Sequence, residues 1–152
     1  MKTITLQSNS SEDTIKLGQR LGALLRGGEV IELASDLGGG KTTIVRGIAK
    51  GFGSTDVVSS PSFTISKVYK TGKRQIVHFD FYRLQEADLI EHELADFLGD
   101  PDSVLLIEWA GAVAHILPES RIKLEIKKTG IESRDFCVTV PEEYAYIEGA
   151  FE

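Results

Sequence analysis

A glycine-rich segment followed by lysine and threonine is the part of this sequence best suited to bind phosphate. Residues 35–43 lie between an apolar run and a stretch with helical character. Consecutive glycines let backbone N–H groups turn toward an anion, and the start of a helix adds partial positive charge. Lys41 can then reach the β- and γ-phosphates of a nucleotide, and the Thr42 hydroxyl can bind Mg²⁺. The predicted cofactor-binding residues are Ser35, Asp36, Leu37, Gly38, Gly39, Gly40, Lys41, Thr42 and Thr43.

The segment departs from the standard pattern G-x-x-x-x-G-K-[ST] at its first position, where Ser35 replaces glycine. A small polar residue can still occupy a tight turn. The alternative interpretation is an ordinary glycine-rich turn before a surface helix, but the strand-to-helix context favours a phosphate loop. Such a loop predicts nucleotide or phosphate binding, and it does not by itself predict hydrolysis.

Hydrolysis also requires carboxylates that hold a metal ion or orient water. Two apolar runs end in an acidic residue, residues 76–80 at Asp80 and residues 104–108 at Glu108. Because ligands of open α/β sheets bind outside the carboxyl ends of the strands, both carboxylates should converge on the phosphate loop. Either could bind the metal directly, and a structural role after the strand is the alternative for each. The predicted catalytic residues are Lys41, Asp80 and Glu108, and the predicted metal ligands are Thr42, Asp80 and Glu108.

The remaining residues that often carry chemistry give weaker signals. His78 lies within a strand-like run and is interpreted as a structural histidine. His92 and His115 lack the spacing of metal ligands, so no zinc site is predicted. Trp109 directly follows Glu108 and is interpreted as packing near the predicted site.

Composition indicates an ordinary globular protein rather than one that mainly grips nucleic acid. The chain has 152 residues, 41% of them hydrophobic, and a formal net charge of −6. A net negative charge disfavours extensive contact with a nucleic acid backbone. Basic residues within 67–74 and 121–134 are interpreted as solvated faces of two hairpins. The sequence has one cysteine, no hydrophobic signal core and no apolar window long enough to span a membrane. The cytoplasm is therefore the expected location.

Periodicity predicts one α/β domain over residues 1–152, a P-loop NTPase-like mixed sheet. Its central strands are parallel, with antiparallel hairpin additions and flanking helices. The tail, residues 142–152, could pack on the core or contact a partner. Strands are expected at 3–6, 29–34, 63–69, 74–80, 104–107, 122–127 and 136–140, and helices from about 10 to 26, 44 to 52, 85 to 98 and 110 to 117.

An ordered set of motifs resembles the TsaE family, bacterial P-loop ATPases once called YjeE. The resemblance covers about residues 10–127 and is specific because five motifs occur in the same order in a short chain. The family usually has glycine at position 35 and often alanine at position 39, so Ser35 and Gly39 depart from its pattern. The motifs are residues 36–43, 60–64, 78–84, 107–109 and 116–118.

The resemblance implies a role in forming threonylcarbamoyladenosine beside the anticodon of tRNA. Family members bind a TsaB–TsaD heterodimer, in which TsaD transfers the threonylcarbamoyl group, so that contact with tRNA is indirect. TsaE is expected to bind and hydrolyse Mg²⁺·ATP, slowly when alone, and to reset the complex for further turnovers. The resemblance also implies switch-like segments near the nucleotide, at residues 60–64 and around Tyr82 and Arg83, with Trp109 at the border of the site.

Two other classes of function remain open. A small-molecule kinase also combines a phosphate loop with carboxylates, although the chain lacks an arginine-rich insertion that would form a lid. A nucleotide-sensing binding module would bind ATP and hydrolyse little. A GTPase is disfavoured because the sequence contains no Asn/Thr-Lys-x-Asp motif for guanine.

Overall fold

A mixed sheet positions the predicted site. The computed structural model describes residues 1–35, 40–58, 66–81 and 87–152, and seven strands in these ranges form one sheet. The predicted residues 36–39, 59–65 and 82–86 lie outside the described ranges. The strands are β1 (Lys2–Ser8), β2 (Val30–Ser35), β3 (Ser66–Thr71), β4 (Arg74–Asp80), β5 (Ser103–Glu108), β6 (Ile122–Lys128) and β7 (Arg134–Val140).

The order of the strands is β1-β7-β6-β2-β5-β4-β3. Neighbouring strands run parallel from β6 through β2 and β5 to β4, whereas β7 and β1 at one edge and β3 at the other pair antiparallel. Both predicted hairpins, β3–β4 and β6–β7, are present. These observations confirm the predicted mixed α/β sheet with parallel central strands.

Helices cover the sheet on both faces. Every residue of β5 is buried, as predicted for a strand with apolar neighbours on both sides. Leu17, Ile31 and Ile48 belong to a core between the sheet, α1, α2 and the C-terminal segment. Val77 and Leu94 belong to a second core that includes α3. The helices are α1 (Ser11–Leu24), α2 (Lys41–Phe52) and α3 (Ala87–Phe97), with 3-10 segments at Ala110–Val113 and Glu142–Phe151.

The helix boundaries follow from local chemistry, with one correction. The Ser10 side chain caps α1 by accepting a hydrogen bond from the Asp13 N–H at 3.1 Å. The predicted helix over residues 110–117 is wrong in extent, because only Ala110–Val113 form a 3-10 segment and turns follow it. Four residues give a single turn, so this segment depends on tertiary packing for its stability.

The C-terminal segment packs on the core. Ile147 and Phe151 are buried, and the Tyr146 hydroxyl donates a hydrogen bond of 2.6 Å to the buried Glu29 carboxylate. Burial and this hydrogen bond raise the pKa of Tyr146. The Arg26 guanidinium lies 3.9 Å from the centroid of the Tyr146 ring. Of the two roles that the sequence left open for the tail, the structure therefore shows core packing.

Helices α1 and α2 approach each other through glycines. A Cβ atom added at Gly47 of α2 would lie 2.3 Å from the Ile15 carbonyl oxygen, and one added at Gly18 of α1 would lie 2.6 Å from the Ile44 carbonyl oxygen. Such contacts are with backbone, which cannot rotate away as a side chain can. The missing Cβ atoms therefore set the distance between the two helices.

We expect Gly47→Ala to destabilise the fold even though alanine favours helix by about 1 kcal/mol over glycine. Its methyl group must push the two backbones apart, an overpacking effect that typically costs about 1–3 kcal/mol. Urea unfolding would show a lower midpoint for Gly47→Ala. The control is Gly149→Ala, where nothing lies within 4 Å of the added Cβ. Equal midpoints for both variants would contradict the proposed close contact.

Candidate functional site

The parallel register brings the carboxyl ends of three strands together. Glu108 at the end of β5 pairs in register with Leu33 of β2 on one side and with Asp80 of β4 on the other. Ser35, the first residue of the predicted phosphate loop, is the last residue of β2 and lies at the same carboxyl-end side of the sheet. Glu108 therefore ends the strand next to β2, and Asp80 ends the strand beyond that one.

Glu108 makes two polar contacts within the described site. Its side chain is buried, with 4% of the residue exposed. One carboxylate oxygen, Oε1, lies 3.5 Å from Nζ of Lys41, and the other, Oε2, lies 2.6 Å from Nε2 of His78. Lys41 is the first residue of α2, so the carboxylate links the start of this helix to the interior of β4. We call Lys41, His78, Glu108 and Trp109 the Glu108 cluster.

Trp109 completes this cluster on its solvent side. The Lys41 ammonium lies 4.9 Å from the centroid of the indole ring, within the range of a cation–π contact. The backbone of Trp109 is left-handed, with φ of 58°, and 39% of the residue is exposed. The Lys41 ammonium therefore contacts both a buried carboxylate and an aromatic face.

The start of α2 lies against a second cation. Gly40 has a left-handed backbone, with φ of 97°, and an added Cβ there would lie 3.1 Å from Nε of Arg134. Nη1 of Arg134 donates to the carbonyl oxygens of Ser133 at 2.8 Å and Gly130 at 3.2 Å. These bonds fix the guanidinium beside Gly40. The interpretation of Arg134 as part of a solvated hairpin face is therefore incomplete.

The described residues of the predicted site lie at the carboxyl ends of the central strands and at the start of α2. Ser35 ends β2, and Asp80 and Glu108 end β4 and β5. Gly40 precedes α2, and Lys41, Thr42 and Thr43 form its first turn. The predicted loop residues Asp36, Leu37, Gly38 and Gly39, and the switch-like residues 60–64, Tyr82 and Arg83, lie outside the described ranges.

The contact of His78 with Glu108 was not predicted from the sequence, where His78 was interpreted as a structural histidine. Its ring contacts Glu108 from within β4, and the structure brings it closer to that carboxylate than Lys41. One signal was available, since a histidine two residues before Asp80 must point to the same face of β4 as that acid. The apolar setting of the strand suggested packing instead.

A metal ion at this edge would need ligands other than a dense acidic cluster. Within the described ranges, no group of three or more His, Cys, Asp or Glu side chains could hold a metal ion. The donor set that does fit Mg²⁺ is a hydroxyl, Thr42, with one or two carboxylates and the phosphates of a nucleotide. In the same part of the chain, no helix is long and apolar enough to cross a membrane.

Comparison with known proteins identifies the family. Residues 8–136 match the family model described as threonylcarbamoyl adenosine biosynthesis protein TsaE. The tRNA threonylcarbamoyladenosine biosynthesis protein TsaE of Bacillus subtilis is 34% identical over 139 residues, which cover 91% of this chain and 87% of that protein. The protein of the same name from Streptomyces coelicolor is 38% identical over 131 residues, which cover 82% and 88% of the two chains.

A solved structure agrees with the sequence matches. The crystal structure of YdiB from Bacillus subtilis superposes with a TM-score of 0.78 and 31% identity, covering 98% of this chain and 94% of that one. The fold described above is therefore the fold of a solved relative. With the family match over most of its length, this chain belongs to the TsaE family of P-loop ATPase-type proteins, the family of threonylcarbamoyl adenosine biosynthesis.

Proposed function

We propose that this protein binds Mg²⁺·ATP at residues 35–43 and hydrolyses it in support of threonylcarbamoyladenosine formation in tRNA. The observation that carries the proposal is the contact between Lys41 and Glu108 at the start of α2. The lysine ammonium and a buried carboxylate lie side by side at a helix N-terminus, where anions bind favourably, and this supports phosphate binding by Lys41. In this proposal residues 1–152 work as one domain in the cytoplasm.

Lys41 has to exchange one anionic partner for another during binding. In the structure, its ammonium contacts Glu108, and the β- and γ-phosphates of ATP would compete for the same ammonium. Once Lys41 turns to the phosphates, a Glu108 oxygen becomes available to accept a hydrogen bond from water. Glu108 would then orient that water for attack on the γ-phosphate.

The metal ligands proposed are Thr42, Asp80 and Glu108. Thr42 lies in the first turn of α2, and Asp80 stands in register with Glu108. When bound, Mg²⁺ would neutralise charge that develops on the phosphate oxygens. Either carboxylate could act through a water molecule, because one of the two is sufficient as a direct ligand.

The proposed partner is a TsaB–TsaD heterodimer, with tRNA contacted through that complex. Support comes from the motif set and from relatives named for tRNA threonylcarbamoyladenosine biosynthesis. TsaD would perform the group transfer, and ATP hydrolysis by this protein would reset the complex. A net charge of −6 agrees with an indirect contact with RNA.

The first test is the rate of Mg²⁺·ATP hydrolysis, with and without the TsaB–TsaD pair. We expect a low rate for the protein alone and a marked rise with the pair. Chelation of Mg²⁺ by EDTA should abolish hydrolysis with and without the pair. Lys41→Ala should weaken ATP binding by about 10- to 100-fold, the loss expected for a charged hydrogen bond. Lys73→Ala, an exposed lysine in the β3–β4 turn, is the matched control.

Each outcome of this test separates the candidate functions. Full partner-dependent turnover by Lys41→Ala would contradict the assignment of the site. A rate that the pair leaves unchanged would favour the sensing module. Phosphate transfer to a small-molecule acceptor would favour the kinase.

Glu108→Gln should separate binding from turnover. The amide keeps the shape of the side chain and removes the charge that holds Lys41, so the Kd for ATP should stay within about threefold of wild type or decrease. Hydrolysis should fall by about 10²- to 10⁴-fold if Glu108 acts on water. Binding is measured by titration calorimetry and turnover by phosphate release.

Glu125→Gln is the matched control for this variant. Glu125 also pairs with a lysine, Lys123, at 3.1 Å, but both side chains are about half exposed. Surface pairs of this kind contribute little, so neither measurement should change. Wild-type turnover by Glu108→Gln would remove the carboxylate from the proposed mechanism.

Gly40→Ala should weaken ATP binding through the shape of the loop. A left-handed backbone costs a non-glycine residue about 1–2 kcal/mol, and the methyl group would also press on Arg134. Gly72→Ala is the control, because Gly72 is also left-handed, with φ of 57°, and nothing lies within 4 Å of its added Cβ. We expect both variants to lose stability in urea unfolding and Gly40→Ala alone to lose ATP affinity. Equal ATP affinity in the two variants would contradict this role of Gly40.

A further inference from the structure

A buried histidine stands directly behind the proposed catalytic carboxylate. His78 lies in the middle of β4, is fully buried, and has Nε2 at 2.6 Å from Oε2 of Glu108. This contact crosses from β4 to β5, where Asp80 is the register partner of Glu108 and Leu106 that of His78. The two side chains therefore project from the same face of adjacent strands, two residues apart in register.

We infer that His78 is a positioning residue for Glu108, an inference that rests on the proposed hydrolysis of ATP. A glutamate side chain has three rotatable bonds, and fixing it has an entropic cost that a short hydrogen bond can offset. With Oε2 held by His78, Oε1 points to Lys41, the residue proposed to bind phosphate. The histidine thus determines which carboxylate oxygen faces the reaction.

The hydrogen bond to Glu108 is the one that the described structure shows for the His78 ring. Nδ1 of His78 is buried and has no hydrogen-bond partner in the part of the chain that the structure describes. A carboxylate accepts hydrogen bonds, so Nε2 is the ring nitrogen that donates to Glu108. A polar ring buried in an apolar core has a desolvation cost, and an ordinary core position would favour an apolar side chain.

The neighbours of the ring support the same role. The Tyr69 ring lies 6.4 Å from the imidazole, centroid to centroid, and Tyr69 is itself buried. Leu106 and Ile76, on the same face, belong to the core beneath α2. A ring packed in this way cannot move away from Glu108 without opening the core. The carboxylate is therefore held by a rigid strand interior rather than by a mobile loop.

The test compares two substitutions of His78 that differ in one hydrogen bond. In His78→Gln, the amide nitrogen can take the place of Nε2 and donate to Glu108, whereas His78→Leu fills the space and cannot donate. We expect kcat for ATP hydrolysis to fall by about 10- to 100-fold in His78→Leu, the loss typical of removing a group that orients a catalytic ligand. His78→Gln should keep most of the activity, and KM should change little in either variant.

A double-mutant cycle separates positioning from a merely structural role. If His78 acts through Glu108, His78→Leu should cause no further loss of kcat in the Glu108→Gln background. A general loss of packing would instead lower kcat by the same factor in both backgrounds. Equal kcat for wild type and His78→Leu, or fully additive losses, would overturn the inference.

A spectroscopic measurement on the intact protein tests the contact without any turnover. Nitrogen-15 NMR should show the His78 proton on Nε2 and a changed Nε2–H signal in Glu108→Gln. An Nε2 without a proton, or a signal that Glu108→Gln leaves unchanged, would overturn the inference even if His78→Leu failed to fold. Absence of ATP hydrolysis by wild type with the TsaB–TsaD pair would refute the proposed function. The NMR measurement would still decide whether His78 holds Glu108, because it does not depend on turnover.

Discussion

The parallel register of β2, β5 and β4 is the constraint on which the candidate site depends. Because Leu33 and Asp80 both pair with Glu108, a shift of β5 by one residue would turn the Glu108 side chain to the opposite face. All six residues of β5 are buried, and a slipped register would exchange the side chains that fill the two cores on either face of the sheet. The packing of the apolar residues of β5 therefore fixes the position of the carboxylate at its end.

A second constraint holds the helix that faces these strand ends. Helix α2 cannot move toward or away from α1 without changing the glycine contacts at Gly18 and Gly47. Glu108 contacts its first turn through Lys41, and Arg134 lies near Gly40, which precedes that turn. The positive end of the helix is thus held near an anion and a cation by elements distant in sequence, so its electrostatic field is organised before any ligand arrives.

Sequence patterns predicted the sheet class, both hairpins and the meeting of Asp80 with Glu108, because each depends on local periodicity and on the rule that parallel strands end at one edge. The roles of His78 and Arg134 depend on pairing between strands. Whether a histidine in a strand faces a carboxylate is decided by the register of the next strand, and one sequence does not give that register. The helix predicted over residues 110–117 is longer than the observed 3-10 segment at Ala110–Val113. Apolar spacing over eight residues suits either a helix or packed turns, so the sequence does not distinguish them.

The left-handed backbone of Trp109 has a consequence for how this site can change. A bulky residue with φ of 58° carries strain of about 1–3 kcal/mol, which the surrounding structure has to offset. With this backbone conformation, the indole lies over the Lys41 ammonium directly after a strand whose last residue is buried. Glycine at this position would relax the backbone and remove the aromatic face together. Selection for thermal stability would therefore favour glycine at this position. Selection for the contact with Lys41 would instead favour an aromatic residue.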